Sequence, residues 1–541
     1  MNTKYWDRYK RGIDYISKKS LIDKTNRSWR MYSGDQWYGC KTDGEELPVL
    51  NFIQPTIKHK ISTVSQNNMV AKYSDANGIG GNEEIYSKLN DHFSSCWEIT
   101  NMDIELWSVM KDSAVTGDGL FYFGTDNIKD MQRLDNTSVL YGDENNKKIQ
   151  QQPYLIIHQR LAIGVVREIA RKNNVPEEEI ASIVPDHETS YTVGNTDEVD
   201  EESRSDISKV TCIIHMEKDE NGYVKVCQCT QNVIIDPEHV MGVSNAAGEI
   251  VNGLTLYPIV KMSWEDYPNR ARGISEVEKL IPNQLELNKT EARRSIAVRL
   301  FAFPRIAYEE NSIINPDDLD KVGAKIAMTG TQAQSIGQLI AYLNPAQISS
   351  EPQNYANDLL EHTQELSGSG ETAMGNINPN RVAASAIIAI RDQAALPLNE
   401  QVAKMKMFVE DLARLWAELW AVYNPNGFDV LSEETNEFGE PVQVVKHITA
   451  EELQNMVPEV RVDTSQDSPW TKEAMQNWLD GALDKQYLTF EEYIEASSSN
   501  SIVPKNQILS ILEKRKQRPQ TQQEIDPATY ATQQWEKQDS V

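Results

Sequence analysis

GISEVEKLIPNQLELNKTEARRSIAVRLFA, residues 273–302, is the stretch from which the fold is read. Its apolar residues Ile274, Val277, Leu280, Ile281, Leu285, Ala292, Ile296 and Leu300 recur at threes, fours and their multiples. That spacing keeps one stripe of a helix apolar and predicts a long amphipathic helix. Pro304 is expected to stop it, because proline lacks the amide and clashes with the preceding turn. A second helix is expected over 346–366, AQISSEPQNYANDLLEHTQEL, after a compact insert at 303–345.

LSGSGETAMGNINPNR follows at 366–381, too rich in Gly, Ser, Asn and Pro for regular structure. Beyond it a long helix is expected from near Arg381, with Pro397 as a kink inside it. Leu398, Val402, Met405, Val409, Leu412, Trp416, Leu419 and Tyr423 alternate by four and three along this helix. A seam of that kind needs a partner surface.

Working outward, the N-terminal residues 4–33 read as helical, followed by an aromatic turn (Trp29, Tyr32, Trp37, Tyr38) around Gly34-Asp35. Residues 83–123 resume helix and end in a strand, with Gly117 and Gly119 as helix C-cap and strand start. Residues 210–229 alternate as a hairpin about Asn221-Gly222. Cys227 and Cys229 fall on one face of its returning strand, as structural cysteines. Strands are expected at 428–431, 442–447 and 460–462, short helices over 468–516, and a polar Gln-rich tail over 517–541. The acidic run at 186–206 reads as a solvated loop. The fold class is α+β, mainly helical.

The 541 residues suffice for several domains. No apolar run approaches a bilayer span, and the first residues lack an apolar signal core, so neither membrane contact nor export by that route is expected. Five cysteines, an odd and small number, argue against a disulfide framework. HExxH, GxxxxGK[ST], GxSxG and dinucleotide fingerprints are all missing. His158 alternates with apolar neighbours and reads as structural. The expectation is therefore no catalytic residues, no cofactor and no metal.

Net charge is −28, from 53 basic and 81 acidic residues. Against that background residues 279–305 hold six bases and two acids. Within this run Lys289, Arg293, Arg294 and Arg299 gather on one helix, with Arg293 a turn above Lys289. Intersubunit salt bridges to Glu286 and Glu291 are the plain explanation; a phosphate-facing surface is the functional one.

The segment W..Y.GDQW at 29–37, LPVLN.I.P.I at 47–57 and YP…V…W…..RG.SEVE.LIP.Q.ELN at 257–288 resemble, in that order, bacteriophage portal proteins, especially those of short-tailed phages. The resemblance runs over roughly residues 26–515. It implies a wing (1–272 and 382–467), a stem of two helices (273–302 and 346–366), a clip (303–345), a tunnel loop (367–381) and a crown (468–516), assembled as a cyclic ring of twelve copies in the virion after assembly in the host cytoplasm. Double-stranded DNA would pass through the ring beside Lys289, Arg293, Arg294 and Arg299. It would also pass the tunnel-loop residues Ser367, Gly368, Ser369, Gly370, Glu371, Thr372, Met374, Asn376 and Arg381. The clip, with Asp317, Asp318, Lys321 and Lys325, would meet the terminase large subunit and later the tail adaptors. Major capsid protein and scaffold would be the remaining partners. Two other classes stay open: an acidic metal-dependent enzyme or nuclease, and another virion structural or adaptor protein.

Overall fold

Ser20, in a left-handed backbone conformation (φ 49), divides the N-terminal helical run into α1 (Thr3–Lys18) and α2 (Leu21–Ser33). In this computed structural model the described residues are 3–41, 47–75, 83–124, 128–186, 208–244, 250–302, 305–308, 313–318, 340–343, 350–368, 396–435, 441–449, 458–466 and 478–483, with single residues at 325, 327, 452, 485, 487, 489, 490 and 493. Helices α3 (Ile53–Ser65), α4 (Glu83–Ile99) and α5 (Met102–Thr116) follow, with strand β1 (Asn67–Asp75) between the first two. Gly117 caps α5 as expected, its φ of 107 freeing its amide for the Ser113 carbonyl.

Strands β2 (Asp118–Tyr122), β3 (Gln132–Leu134), β4 (Val139–Tyr141) and β5 (Tyr154–Ala162) come next, then helices α6 (Ile163–Lys172) and α7 (Glu177–Ala181). The expected hairpin is β6 (Lys209–Lys218) and β7 (Val224–Cys229), turned by Gly222 at φ 87. After β8 (Ile234–Val240), β9 (Gly242–Ser244), β10 (Ile250–Gly253) and β11 (Ile259–Ser263), the chain enters α8 (Glu276–Ala302).

Strands β4 to β8 form a five-stranded antiparallel meander in sequence order. Alternation along β6 sends Ile213 to one face and Cys212 to the other. On the first face α1 lays Tyr5, Trp6, Tyr9, Ile13 and Ile16 over Leu140, Ile156, Ile213, Cys227 and Cys229. On the second, Val166 and Ala170 of α6 and Ile180 of α7 cover Val210, Cys212 and Ile235. Cys227 and Cys229 thus share one face, packed as core residues. His158 is buried, with Nε2 2.9 Å from the Thr137 carbonyl, and burial lowers its pKa to about 4.

The largest core is organised by the long C-terminal helix. Strands β12 (Arg305–Tyr308) and β13 (Ile340–Leu343) and helix α9 (Glu351–Leu366) lead to α10 (Asn399–Tyr423). The partner that its seam requires lies within the chain: Phe408, Val409, Leu412, Trp416 and Leu419 sink among residues of α3, α4, β1, β2 and β11. Trp416 meets Phe93 at 5.1 Å between ring centroids, and Trp420 meets His92 at 4.6 Å. Pro397 is exposed in the 3-10 turn Leu396–Leu398 at the start of α10; the residues before it, where the helix was expected to begin, lie outside the described set.

The last strands include the ranges expected from the sequence. β14 (Phe428–Thr435) and β15 (Pro441–Ile448) form a separate hairpin. β16 (Pro458–Gln466) returns to pair antiparallel with β1, Asn67 opposite Gln466 and Asp75 opposite Pro458. None of the three joins the five-stranded sheet. Of 468–516, residues 478–483, 490 and 493 are helical among those described; the run 187–207 and the tail after 493 lie outside them.

Candidate functional site

Helix α8 is built in two regimes. Its first half is locked into the body. Ser275 caps it, accepting from the Glu278 amide at 3.1 Å while donating to the Val115 carbonyl at 2.6 Å. At the first residue of the helix, buried Glu276 takes a hydrogen bond from the Lys60 ammonium at 2.5 Å and also faces Lys279, which is paired with Glu265. Burial alone would raise the Glu276 pKa; the two ammonium groups win and hold it below the usual carboxylate range. Asp118, 1% exposed, accepts from the Gly273 amide at 2.9 Å and from Ser263 Oγ at 2.6 Å. Arg272 beside it donates to the Asn136 and Val139 carbonyls and to Glu144.

Further along, an amide ladder replaces the apolar stripe. Gln284, fully buried, donates to the Leu50 carbonyl at 2.8 Å and to Asn288 Oδ1 at 3.0 Å, and accepts from the Phe52 amide at 3.1 Å. Asn288 in turn donates to Gln36 Oε1 at 2.5 Å. Pro282 sits on the exposed side between these anchors, where its missing amide leaves the Glu278 carbonyl without its helical donor.

The second half leaves the body. Ile296, Val298 and Phe301 are 42%, 54% and 61% exposed, although Ile296 was expected on the packed stripe. At 100° per residue Val298 and Phe301 lie about 60° apart on one side of the axis and Ile296 on the other. Helix α9 runs back alongside, with Asn283 Nδ2 2.9 Å from Thr363 Oγ1 near the body, and β12 and β13 pair antiparallel at the far end, Arg305 opposite Leu343. The unit is a helix out, a strand pair, and a helix back.

Of the bases singled out in the sequence, Lys289, Arg293 and Arg299 are exposed on α8. Arg294 turns to Glu291 at 3.4 Å within the same helix, a pair made inside one chain rather than between subunits. Lys289 and Arg293 make no ion pair among the described residues. Lys279, the first base of the run, is spent at the helix foot. Lys289 and Arg293 therefore remain the exposed bases of the run with no ion pair among the described residues.

Ser367 and Gly368 close α9, Gly368 at φ 70; Ser369, Gly370, Glu371, Thr372, Met374, Asn376 and Arg381 lie outside the described residues. In the insert, Asp317 is exposed, and Asp318 accepts from Asn315 at 2.7 Å. Asn315 also holds the Lys325 carbonyl at 2.9 Å, fixing a small loop; Lys321 lies outside the described residues. Among the described residues no group of His, Cys, Asp or Glu is arranged to hold a metal ion, and no helix is long and apolar enough to cross a membrane.

The helix-foot network went unseen in the sequence. Its signals were present in Ser275-x-x-Glu278, a capping-box spacing, and in Gln284 and Asn288 at i, i+4 on an otherwise apolar stripe. No known protein family matches the chain, and no curated protein matches it either.

Proposed function

We propose that the chain is the subunit of a phage portal, a ring through which double-stranded DNA enters the capsid, is held and later leaves. The observation that carries this role is the α8–β12–β13–α9 unit. Its base is fixed by buried ion pairs and amides, its exposed side offers Lys289 and Arg293, and its far end exposes Ile296, Val298 and Phe301 on two sides. Exposed apolar side chains on two sides of a helix are better covered inside an assembly than left in water. Each of the three tip side chains gains up to roughly 1–2 kcal/mol on full burial, so repeated contacts around a ring outweigh the ordering they require.

In this role α8 and α9 are the stem, the strand pair is the clip that meets the terminase large subunit and tail adaptors, and 367–381 is the tunnel loop. The five-stranded sheet and the α10 core are the wing, set against major capsid protein and scaffold. The chain itself needs no catalytic group or cofactor, since the motor supplies the energy. An acidic surface that carries one narrow basic stripe suits a duplex that must slide without sticking.

Negative-stain imaging and light scattering of the purified protein test this. A closed ring of about three-quarters of a megadalton is expected for twelve copies of the 61.3 kDa chain. A strict monomer, also after incubation with scaffold, refutes it.

A further inference from the structure

We infer that helix α2 supplies a second row of phosphate contacts beside the α8 stripe, so that duplex DNA is met by two parallel helices of each chain; this rests on the portal role proposed above. The two helices run side by side and are tied at both ends. At one end Lys24 Nζ lies 3.7 Å from Glu278 Oε1. At the other Gln36, just past α2, receives the Asn288 side chain at 2.5 Å. Twelve residues separate the ties on one chain segment and ten on the other, so the segments are parallel.

Glu278 and Lys289 are eleven residues apart, about 20° on the helix, and Arg293 lies one turn beyond. The exposed stripe of α8 therefore borders the flank of α2 that carries Lys24. From there Lys24, Arg27 and Arg30 follow at intervals of three, and Arg27 is exposed without an ion pair among the described residues. The Arg30 guanidinium lies 3.4 Å over the ring of Tyr38, which is 62% exposed. Stacking holds the guanidinium plane while leaving its N–H edge open, the geometry that suits phosphate oxygens.

The surface is not purely basic. Asp23, Asp35, Glu278 and Glu286 share it with Lys24, Arg27, Arg30, Lys289, Arg293 and Arg299. Six bases against four acids is nevertheless an inversion in a chain with 81 acids and 53 bases. With Glu278 occupied by Lys24, the outward charge is carried by Arg27, Arg30, Lys289 and Arg293. A weakly positive strip on an acidic body is what loose, salt-sensitive contact with a passing polyanion requires.

The test is binding of a short labelled duplex to the full-length protein by fluorescence anisotropy across a salt series. The variants are Arg27→Gln with Arg30→Gln, Arg27→Gln alone, Lys289→Gln with Arg293→Gln, and Lys172→Gln as a distant exposed control. Removing one cation that touches phosphate should flatten the plot of log affinity against log salt by roughly 0.9. The α2 double variant should flatten it by about 2 per chain engaged and Arg27→Gln by about half that, while Lys172→Gln leaves it unchanged. If the α8 variant weakens binding and neither α2 variant does, the second row is refuted and the portal role stands; an acidic protein partner on α2 would give that result. If Lys172→Gln acts as strongly as the α2 pair, the effect is one of overall charge and the second row is again refuted. A wild-type protein that binds no duplex at low salt overturns both.

Discussion

Gly117 and Gly273 pass backbone against backbone at the foot of α8: a methyl group on Gly117 would lie 2.5 Å from the Gly273 carbonyl oxygen. A methyl on Gly273 would collide in turn with the Gly117 carbonyl. Gly117 also holds φ at +107, a conformation that L side chains rarely adopt. The end of α5 and the approach to α8 can therefore touch only because neither residue carries a side chain. Gly273→Ala should cost about 2–3 kcal/mol through overpacking. Gly117→Ala should cost more, since backbone strain adds about 1–2 kcal/mol. Urea denaturation checks both; a loss below about 0.5 kcal/mol for Gly273→Ala would mean the crossing relaxes easily.

Lys60 and Glu276 form the buried ion pair that joins α3 to the first turn of α8. Each side chain is about one-tenth exposed, so either one left alone is a charge in a poor solvent. Lys60→Met should destabilise the fold by about 3–5 kcal/mol. Lys279 remains near Glu276 and keeps that figure toward the lower end. Lys60→Met with Glu276→Leu should be markedly less damaging than the sum of the single changes. Strict additivity in a double-mutant cycle would show that the pair contributes nothing specific.

Acid sensitivity follows from buried imidazoles. Burial lowers the pKa of His158 to about 4, against 6.5 when exposed in the unfolded chain. Below pH 6.5 the unfolded chain takes up a proton that the folded chain refuses. Stability is thus fully present above about 6.5 and drains away as pH falls toward 4, by about 3 kcal/mol for this one residue. His92 and His215 are shifted to about 4 for the same first reason. The urea midpoint should fall between about pH 7 and pH 5, and His158→Gln should remove about a third of the histidine part of that fall. An unchanged pH slope in the variant would place the acid sensitivity on other groups.

The regular elements were legible where one period dominates. The β6–β7 hairpin and the seam of α10 both declared themselves, because alternation or a four-three repeat is a local property. The destination of the seam was not local. Trp416 and Leu412 look equally ready to meet a second subunit or their own sheet, and only the pairing of β1 with β16, nearly four hundred positions apart, decides it. The α8 stripe failed for a related reason. Val277, Leu280 and Ile281 are buried and Ile296 is not, since the helix outruns the body that its first half packs on. Among the bases, Arg293 and Arg294 look alike in sequence; the turn of the helix leaves the first open and gives the second to Glu291.

The exposed end of α8 leads to the most direct test of assembly. Ile296, Val298 and Phe301 are exposed and lie beyond Ala292, the last buried residue of the helix among those described, so changing them removes little from the fold of the single chain. Ile296→Ser, Val298→Ser and Phe301→Ser together should leave the thermal midpoint of an isolated chain within a few degrees of wild type. If these side chains pack against neighbouring copies, the same variant should weaken each subunit contact by roughly 2–4 kcal/mol. That is a weakening of some thirtyfold to a thousandfold at each one. Light scattering over a concentration series should then show the proposed ring giving way to smaller species at concentrations where wild type stays assembled. A variant that assembles as well as wild type would show that the apolar end of the helix lies outside the subunit interfaces.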